Sequence, residues 1–271
     1  MPWWMALASC LLPCPAGAHE FWLAPTRYRA ARGDTVAVKA YVGTGFRGEI
    51  KPYAPSRAVR FSLRTTRDID LSRAARNGDL VMARFVVADE GGSLVSHQST
   101  FADVELPAAE FDAYLKLEGL DAVRARRAHA SSSGVVRERY ARCAKTWVAG
   151  SEVTRITRPT GLTYELTPLA TPASGSLTVR ATFRGRPLSG ALVRAWNRPL
   201  PKGGRPFDPT MRDSVPSWTE GRTDARGLVT LPLGRTGEWL FSSVHMVPSA
   251  DREEADWESY WASLTFARSA P

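Results

Sequence analysis

The sequence predicts a mainly β protein made of two β-sandwich portions, with a short helical insertion in the first. Segments in which apolar and polar residues alternate recur at short spacing, as half-buried strands do. The 21 glycines and 19 prolines are spread along the chain and favour many turns. Residues 107–128 interrupt this pattern, because their apolar positions recur at helical spacing.

The first portion is predicted to begin with a strand in DTVAVKAYVGTGF (34–46), where Val36, Val38 and Ala40 share one face before a Gly-x-Gly turn. Further strand segments follow, and these are AVRFSLRTTRD (58–68), GDLVMARFVVAD (78–89) and GSLVSHQSTFADVEL (92–106). Asn77-Gly78 and Gly91-Gly92 are turn signals between them. Short strands separated in this way predict a sandwich.

The helical insertion is predicted over 107–128, PAAEFDAYLKLEGLDAVRARRA. A proline suits the start of a helix, and the basic residues lie toward the end, where the helix dipole favours them. HASSSG at 129–134 is predicted to be a loop. The next segment, VVRERYARCAKTWVAG at 135–150, is ambiguous, and we interpret it as a short helix running into a strand.

The first portion is predicted to cover 19–158 and the second 159–271, with a linker in 150–170. GSLTVRATFRGRPLSGALVRAWN (175–197) predicts two strands joined by RGRPLSG. GRTDARGLVTLPLGRTGEWLFSSVHMV (221–247) predicts two more, with glycines where turns need positive φ. ADWESYWASLTFARS (255–269) is expected to close the sheet. This order of strand segments and glycine-containing turns is common in small seven-stranded sandwiches.

Residues 1–18, MPWWMALASCLLPCPAGA, are predicted to be a secretory signal peptide that ends in the small-x-small site Ala16-Gly17-Ala18. The apolar run is too short to remain as a membrane-spanning helix. Cleavage after Ala18 would make His19 the first residue of a periplasmic or secreted protein. Only Cys143 would then remain of the three cysteines, so the fold must hold without an internal disulfide.

The charge and the motifs exclude several classes of protein. The net charge of +9 could indicate a nucleic-acid partner, but the arginines are scattered singly and form no basic stripe. No Gly-x-Ser-x-Gly, phosphate-binding glycine loop, His-Glu-x-x-His or cysteine zinc pattern is present. A nucleic-acid-binding protein and the common hydrolase and nucleotide-binding classes are therefore not expected.

Histidines are scarce, and one of the four has an unusual position. As the first mature residue, His19 would offer its α-amine and its ring nitrogen to one metal ion, and a second imidazole would complete a set of three nitrogens. The α-amine has a pKa near 8, so a metal displaces its proton at modest cost. His245, at the end of an apolar strand, is the best second ligand, and His97 is the third candidate. His129 fits a structural or exposed residue.

Two acidic residues could assist these histidines. Asp256 and Glu258 follow His245 in sequence and could supply a carboxylate ligand or orient an imidazole, although solvated loop acids are an equal alternative. Met246 would point to the opposite face of a strand from His245, so we do not expect a thioether ligand. The predicted metal ligands are thus His19, His245, His97 and Asp256, with nickel, cobalt or copper as the metal.

Several segments together resemble the exported bacterial family known as domain of unknown function 4198, which is related to periplasmic components of nickel and cobalt uptake. The resemblance is carried by AHEFWLAP (18–25), AEFDAYLKLEGL (109–120), RERYARCAK (137–145), GLTYELTPLATP (161–172), GRPLSGALVRAWN (185–197) and VHMVPSADREEADWESYWASLTF (244–266). It implies two Ig-like β-sandwich portions, a periplasmic or secreted location and a role in handling nickel, cobalt or copper. It supports His19 and His245 most as ligands, with Asp256 and Trp257 in the same terminal motif, and it gives no support to His97.

Three functional hypotheses follow. The first is a non-enzymatic protein that captures a divalent metal ion for uptake or delivery, with an inner-membrane metal transporter as its partner. The second is a copper oxidase or oxygenase that uses the same arrangement of one amine and two imidazoles. The third is a structural or adhesive Ig-like module in which His19 and His245 are ordinary residues, since this architecture hosts many unrelated functions.

Overall fold

The computed structural model describes residues 20–128, 134–173, 175–200 and 216–268. The first part of the described chain is almost entirely strands, apart from one 3-10 turn (Pro55–Arg57) and two helices. Its elements are β1 (Glu20–Pro25), β2 (Thr35–Thr44), β3 (Arg47–Lys51), β4 (Ala58–Arg64), β5 (Asp68–Asp70), β6 (Ala83–Val86), β7 (Ser93–Ser99), β8 (Ala102–Pro107), α1 (Ala108–Leu117), α2 (Asp121–Arg127) and β9 (Val135–Val148).

The remaining part begins with a single-turn helix and continues as strands. Its elements are α3 (Thr154–Thr157), β10 (Tyr164–Pro168), β11 (Ser176–Phe183), β12 (Arg186–Pro187), β13 (Leu192–Arg198), β14 (Ser217–Arg222), β15 (Leu228–Pro232), β16 (Gly237–Pro248) and β17 (Trp257–Arg268). Within the described ranges, no helix combines the length and the hydrophobicity that crossing a membrane requires.

These strands form three sheets in layers. The central sheet has nine strands in the order β14-β13-β16-β17-β9-β7-β4-β5, and β8 also pairs with β9. A first flanking sheet (β1, β2, β3, β6) packs on one face of the central sheet through a core that includes Leu23, Val38, Val95 and Val148. A second flanking sheet (β10, β11, β12, β15) packs on the other face. The mainly β, Ig-like sandwich class predicted from the sequence is confirmed.

The two halves of the chain meet at the parallel pairing of β9 with β17. The register runs from Trp257 opposite Glu138 to Thr265 opposite Thr146. The other neighbours of β9 and β17 in the central sheet run antiparallel to them. The central sheet therefore takes strands from both sides of residue 158. The predicted domain boundary at 158/159 stays a prediction.

Helices α1 and α2 lie where the insertion was predicted and cover the part of the central sheet that the first flanking sheet leaves free. Phe111, Leu115 and Val123 pack there against Trp257 and Trp261 of β17. A buried carboxylate accompanies this contact, since one oxygen of Glu138 accepts hydrogen bonds from the hydroxyls of Ser259 and Tyr114, the latter at 3.3 Å.

Two expectations about residues 135–170 are wrong. The segment 135–148 is one continuous strand, β9, rather than a helix running into a strand. The adjacent residues Cys143 and Ala144 of this strand face different layers, and both are buried. From residue 143 onward the strand therefore lacks the two-residue alternation of a half-buried strand. The expected linker contains α3 and β10, and Glu165 of β10 pairs with the buried Lys145 at 2.7 Å.

The substitution Glu138→Gln should stabilise the protein, and more so at alkaline pH. Burial raises the pKa of the Glu138 carboxyl to about 7 from an ordinary value near 4.5. Since folding favours the protonated form, the free energy of unfolding decreases as the pH rises from about 4.5 through 7. Glutamine carries no charge, and its advantage over glutamate should grow by about 3 kcal/mol between pH 4 and pH 9.

Urea unfolding of both proteins at several pH values measures this difference. Glu105→Gln is the matched control, because Glu105 is an exposed residue of the neighbouring strand β8. A difference between wild type and Glu138→Gln that is the same at pH 4 and pH 9 would contradict the expectation.

Candidate functional site

The start of β1 is fixed by the side chain of Glu20, which is only 7% exposed. One carboxylate oxygen accepts the Gly45 backbone N–H at 2.6 Å. The other accepts the indole N–H of Trp196 at 2.6 Å and the Ser242 hydroxyl at 2.7 Å. Burial raises the Glu20 pKa despite these donors, and the negative charge of Glu118 raises it further.

The turn between β2 and β3 is shaped to provide one of these donors. Gly45 has a φ of +57°, a conformation that favours glycine. A Cβ atom at this position would lie 2.9 Å from the Trp196 ring. Glycine therefore lets the turn approach the indole closely, and both groups reach the same carboxylate.

Phe21, the next residue, points to the other face of β1 and contacts His97 of β7. Their ring centroids lie 5.7 Å apart, and the ring of Phe61 lies 5.5 Å from that of His97. His97 is 6% exposed, and its Nδ1 has no hydrogen-bond partner among the described residues. Burial, together with the positive charge of Arg142, lowers the His97 pKa to about 4, so the imidazole is neutral at physiological pH.

Phe21 and His97 line a cavity of about 370 Å³ between the first flanking sheet and strands β7, β8 and β9. Its other walls include aromatic and apolar side chains such as Tyr53 and Met82. Three basic side chains also line it, namely Lys51, Arg57 and Arg142, and among the residues that the structure describes no carboxylate does.

His245 lies on β16 in a different environment. Its ring centroid is 4.6 Å from that of Phe183 and 6.0 Å from that of Tyr164, both in the second flanking sheet. Burial, together with the charge of Arg184, lowers the His245 pKa to about 4. Side chains alternate along a strand, so His245 points to the opposite face of β16 from Ser242, the partner of Glu20.

The two acidic candidates have structural partners in the described chain. Asp256 accepts the backbone N–H of Arg137 at 2.9 Å and so fastens the loop before β17 to the start of β9. Glu258 accepts a hydrogen bond from Arg139 at 2.7 Å and one from the Tyr260 hydroxyl at 3.0 Å. Met246 lies with the helices in the cluster around Trp261, on the face opposite His245, as strand alternation predicted.

The described residues therefore do not bring the predicted ligands together. His19 and His129 lie outside the described residues. His97 and His245 contact different flanking sheets, and Asp256 is bound to Arg137. Across 20–128, 134–173, 175–200 and 216–268, no group of three histidine, cysteine or acidic side chains could hold a metal ion. Ligation by His19, His97, His245 and Asp256 stays a prediction.

Sequence reasoning missed two features of this region. Glu20 stands within the segment AHEFWLAP, but its burial depends on residues more than a hundred positions away, and no local pattern indicates it. Arg142 lies in the segment interpreted as a helix, where its side chain could not be assigned to a cavity. Arg142 lies between the rings of Phe21 and Tyr140. This placement would have indicated a binding site only if the register between the strands had been known.

Comparison with known protein families identifies the family of this chain. The model of the family described as "Domain of unknown function (DUF4198)" matches residues 16–247. The chain belongs to this family. No curated protein matches the DUF4198 chain. Among solved structures, one described as "D0-D1 domain of Intimin" is similar at 13% identity, covering 91% of this chain and 97% of that chain with a TM-score of 0.20. A TM-score this low carries no argument about fold or function.

Replacing Glu20 should reveal how strongly it holds the start of β1 in this DUF4198 protein. The substitution Glu20→Ala leaves the Trp196, Ser242 and Gly45 donors without their buried acceptor. We expect a loss of about 3 kcal/mol in the free energy of unfolding, measured in urea.

Glu49→Ala is the control, because Glu49 is an exposed residue of β3 near the same turn. Equal, small losses for the two variants would show that the three hydrogen bonds to Glu20 contribute little.

Proposed function

We propose that this DUF4198 protein is an exported, non-enzymatic protein that captures a divalent transition-metal ion for uptake or for delivery to a membrane transporter. The metal is held by the α-amine and the imidazole of His19 once the signal peptide has been removed after Ala18. The observation that carries the proposal is the triple anchoring of Glu20, the residue directly after His19 in sequence.

Anchoring matters because a chelate binds more tightly when its donors need little ordering. Glu20 is buried and held from three sides, and Phe21 behind it is packed against His97. The residue to which His19 is joined is therefore held in place by its side chain. An N-terminal residue on a mobile tail would lose more conformational entropy on binding.

The charge near this point also suits a cation. Glu20 carries a buried carboxylate, and its pKa responds to the charge of Glu118 at the end of α1. Glu118 is paired with Arg194 at 2.6 Å, so part of its charge is balanced. A divalent ion beside Glu20 would be attracted through a medium of low dielectric constant, where charges interact more strongly than in water.

The donor chemistry selects among metals. An amine and a neutral imidazole are borderline nitrogen ligands, which suit nickel(II), cobalt(II) and copper(II) better than calcium or magnesium. The α-amine titrates near pH 8, so it can lose its proton to a metal at neutral pH. The sequence resemblance to the DUF4198 family implies a relation to periplasmic components of nickel and cobalt uptake, which agrees with this choice.

The other predicted ligands fit the described geometry less well. His245 points away from the face of β16 that Glu20 contacts. His97 of β7 contacts the face of β1 that carries Phe21. The cavity that His97 lines is also lined by Arg142 and two further basic residues, which repel a cation. The proposal therefore rests on the α-amine and one imidazole nitrogen of His19. The remaining coordination positions are left to solvent or to the protein that receives the metal.

The experiment compares two N-termini. One form starts at His19, and the other carries Gly-Ser before it, so that the amine is no longer adjacent to the imidazole. Titration calorimetry with nickel(II), cobalt(II) and copper(II) should show at least a tenfold weaker affinity for the extended form, because the chelate ring is lost. His245→Gln is the matched variant, and we expect it to change the affinity less than twofold.

Equal affinity of the two N-terminal forms would contradict the proposal. So would mass spectrometry showing that exported protein begins at another residue. Reductant-dependent oxygen consumption by the copper-loaded form, faster than with free copper, would instead favour the oxidase or oxygenase hypothesis.

A further inference from the structure

The cavity behind Phe21 combines positive charge with apolar walls, and no acidic residue of the described chain lines it. Lys51, Arg57 and Arg142 line it, Arg57 being exposed and the other two half-buried. Phe21, Tyr53, Met82 and other aromatic or apolar side chains form most of the remaining wall. A volume of about 370 Å³ is in the range of sites for small organic ligands.

Arg142 is unusual among the arginines of the described chain. The buried residues Arg64, Arg155 and Arg198 each pair with a carboxylate, at 3.0, 2.6 and 2.6 Å. Arg142 is half-buried between the rings of Phe21 and Tyr140, with its guanidinium carbon 5.3 and 5.1 Å from their centroids.

Within the described ranges the Arg142 side chain has no carboxylate partner, and its Nε is buried without a hydrogen-bond acceptor. Taking an arginine out of water costs free energy unless an anion or another acceptor meets it. The faces of the two flanking rings hold the planar group in place but do not replace a carboxylate as its acceptor. The guanidinium is therefore positioned for an acceptor that a ligand can provide.

His97 is the second unpartnered polar side chain of this cavity. It is 6% exposed, and no described residue accepts from or donates to its Nδ1. Buried polar groups are nearly always hydrogen-bonded, so an exception needs an explanation. A neutral imidazole offers one N–H donor, which a bound oxygen atom would satisfy.

We propose that this cavity is a binding site for a small organic monocarboxylate with an apolar body, whose carboxylate is bound by Arg142 and His97. The guanidinium fork matches the two oxygens of a carboxylate. The apolar body covers Phe21, Tyr53 and Met82, and removing such surface from water favours binding. The site uses neither the α-amine nor the imidazole of His19, so it is separate from the metal capture proposed above.

A monocarboxylate fits the cavity better than an inorganic anion. Phosphate or sulfate would satisfy the charges but leave the apolar wall without a partner. A neutral apolar ligand would cover the wall but leave Arg142 and His97 unpaired, which is costly for buried groups. Only a ligand with both parts meets both requirements.

The test uses benzoate and hexanoate as probes, with benzamide, hexanol and inorganic phosphate as controls. Titration calorimetry on the purified protein should show saturable binding of at least one carboxylate at micromolar to millimolar concentration. Each control should bind at least tenfold more weakly. Arg142→Gln should weaken carboxylate binding at least tenfold, and His97→Gln severalfold. Arg84→Gln, a change at an exposed residue of β6 outside the cavity, should leave binding unchanged.

A second measurement on wild-type protein guards against a variant that fails to fold. Benzoate should slow the modification of Arg142 by phenylglyoxal, mapped by mass spectrometry, and should leave the modification of Arg84 unaffected. Absence of saturable binding by both carboxylates, equal binding of phosphate or benzamide, or no protection of Arg142 would each overturn the proposal.

Discussion

The parallel pairing of β9 with β17 is the constraint on which the remaining structure depends. It joins two strands that are more than a hundred residues apart in sequence and turns the two halves of the chain into one central sheet. β17 is buried on both faces along almost its whole length, and β9 is buried on both faces over residues 143–148, as strands inside a layered sheet are. Nearly every other described element packs on this pair or extends the sheet from it.

The polar residues of this seam show how burial on both faces is tolerated. Thr265 of β17 donates its hydroxyl to the Leu23 carbonyl of β1 at 2.6 Å, which ties the first flanking sheet to the seam. On the opposite face, Lys145 of β9 pairs with Glu165 of β10 at 2.7 Å, with both side chains fully buried. Buried charges need such partners, since breaking a buried pair costs several kcal/mol. The seam therefore positions β1, and with it Glu20 and the cavity behind Phe21.

Much of the fold could be predicted from local pattern, and the failures have a common physical cause. Strands with one covered face, such as β11 and β15, alternate buried and more exposed residues and were predicted correctly. The helices at 108–127 follow helical spacing and were also predicted. The strand β9 was misread because both of its faces are buried over residues 143–148, so the apolar residues do not alternate there. Arg139 and Lys145 of this strand pair with the acids Glu258 and Glu165, which lie outside the strand, and no local pattern reveals such partners.

The candidate sites illustrate the same limit. The sequence drew attention to the four histidines, and the structure places two of them on different faces of the central sheet. It could not indicate that Glu20 is buried or that Arg142 lines a cavity, because both depend on the register between distant strands. Residue type predicts which chemistry a chain can perform, and the long-range pairing decides which residues meet.

Calorimetric unfolding tests most directly whether one seam holds both halves together. If β9 and β17 form a single cooperative unit with both flanking sheets, the protein should unfold in one transition whose calorimetric and van't Hoff enthalpies agree. Two separable transitions, one for the first half of the chain and one for the second, would show that the halves are independent domains and would contradict this account.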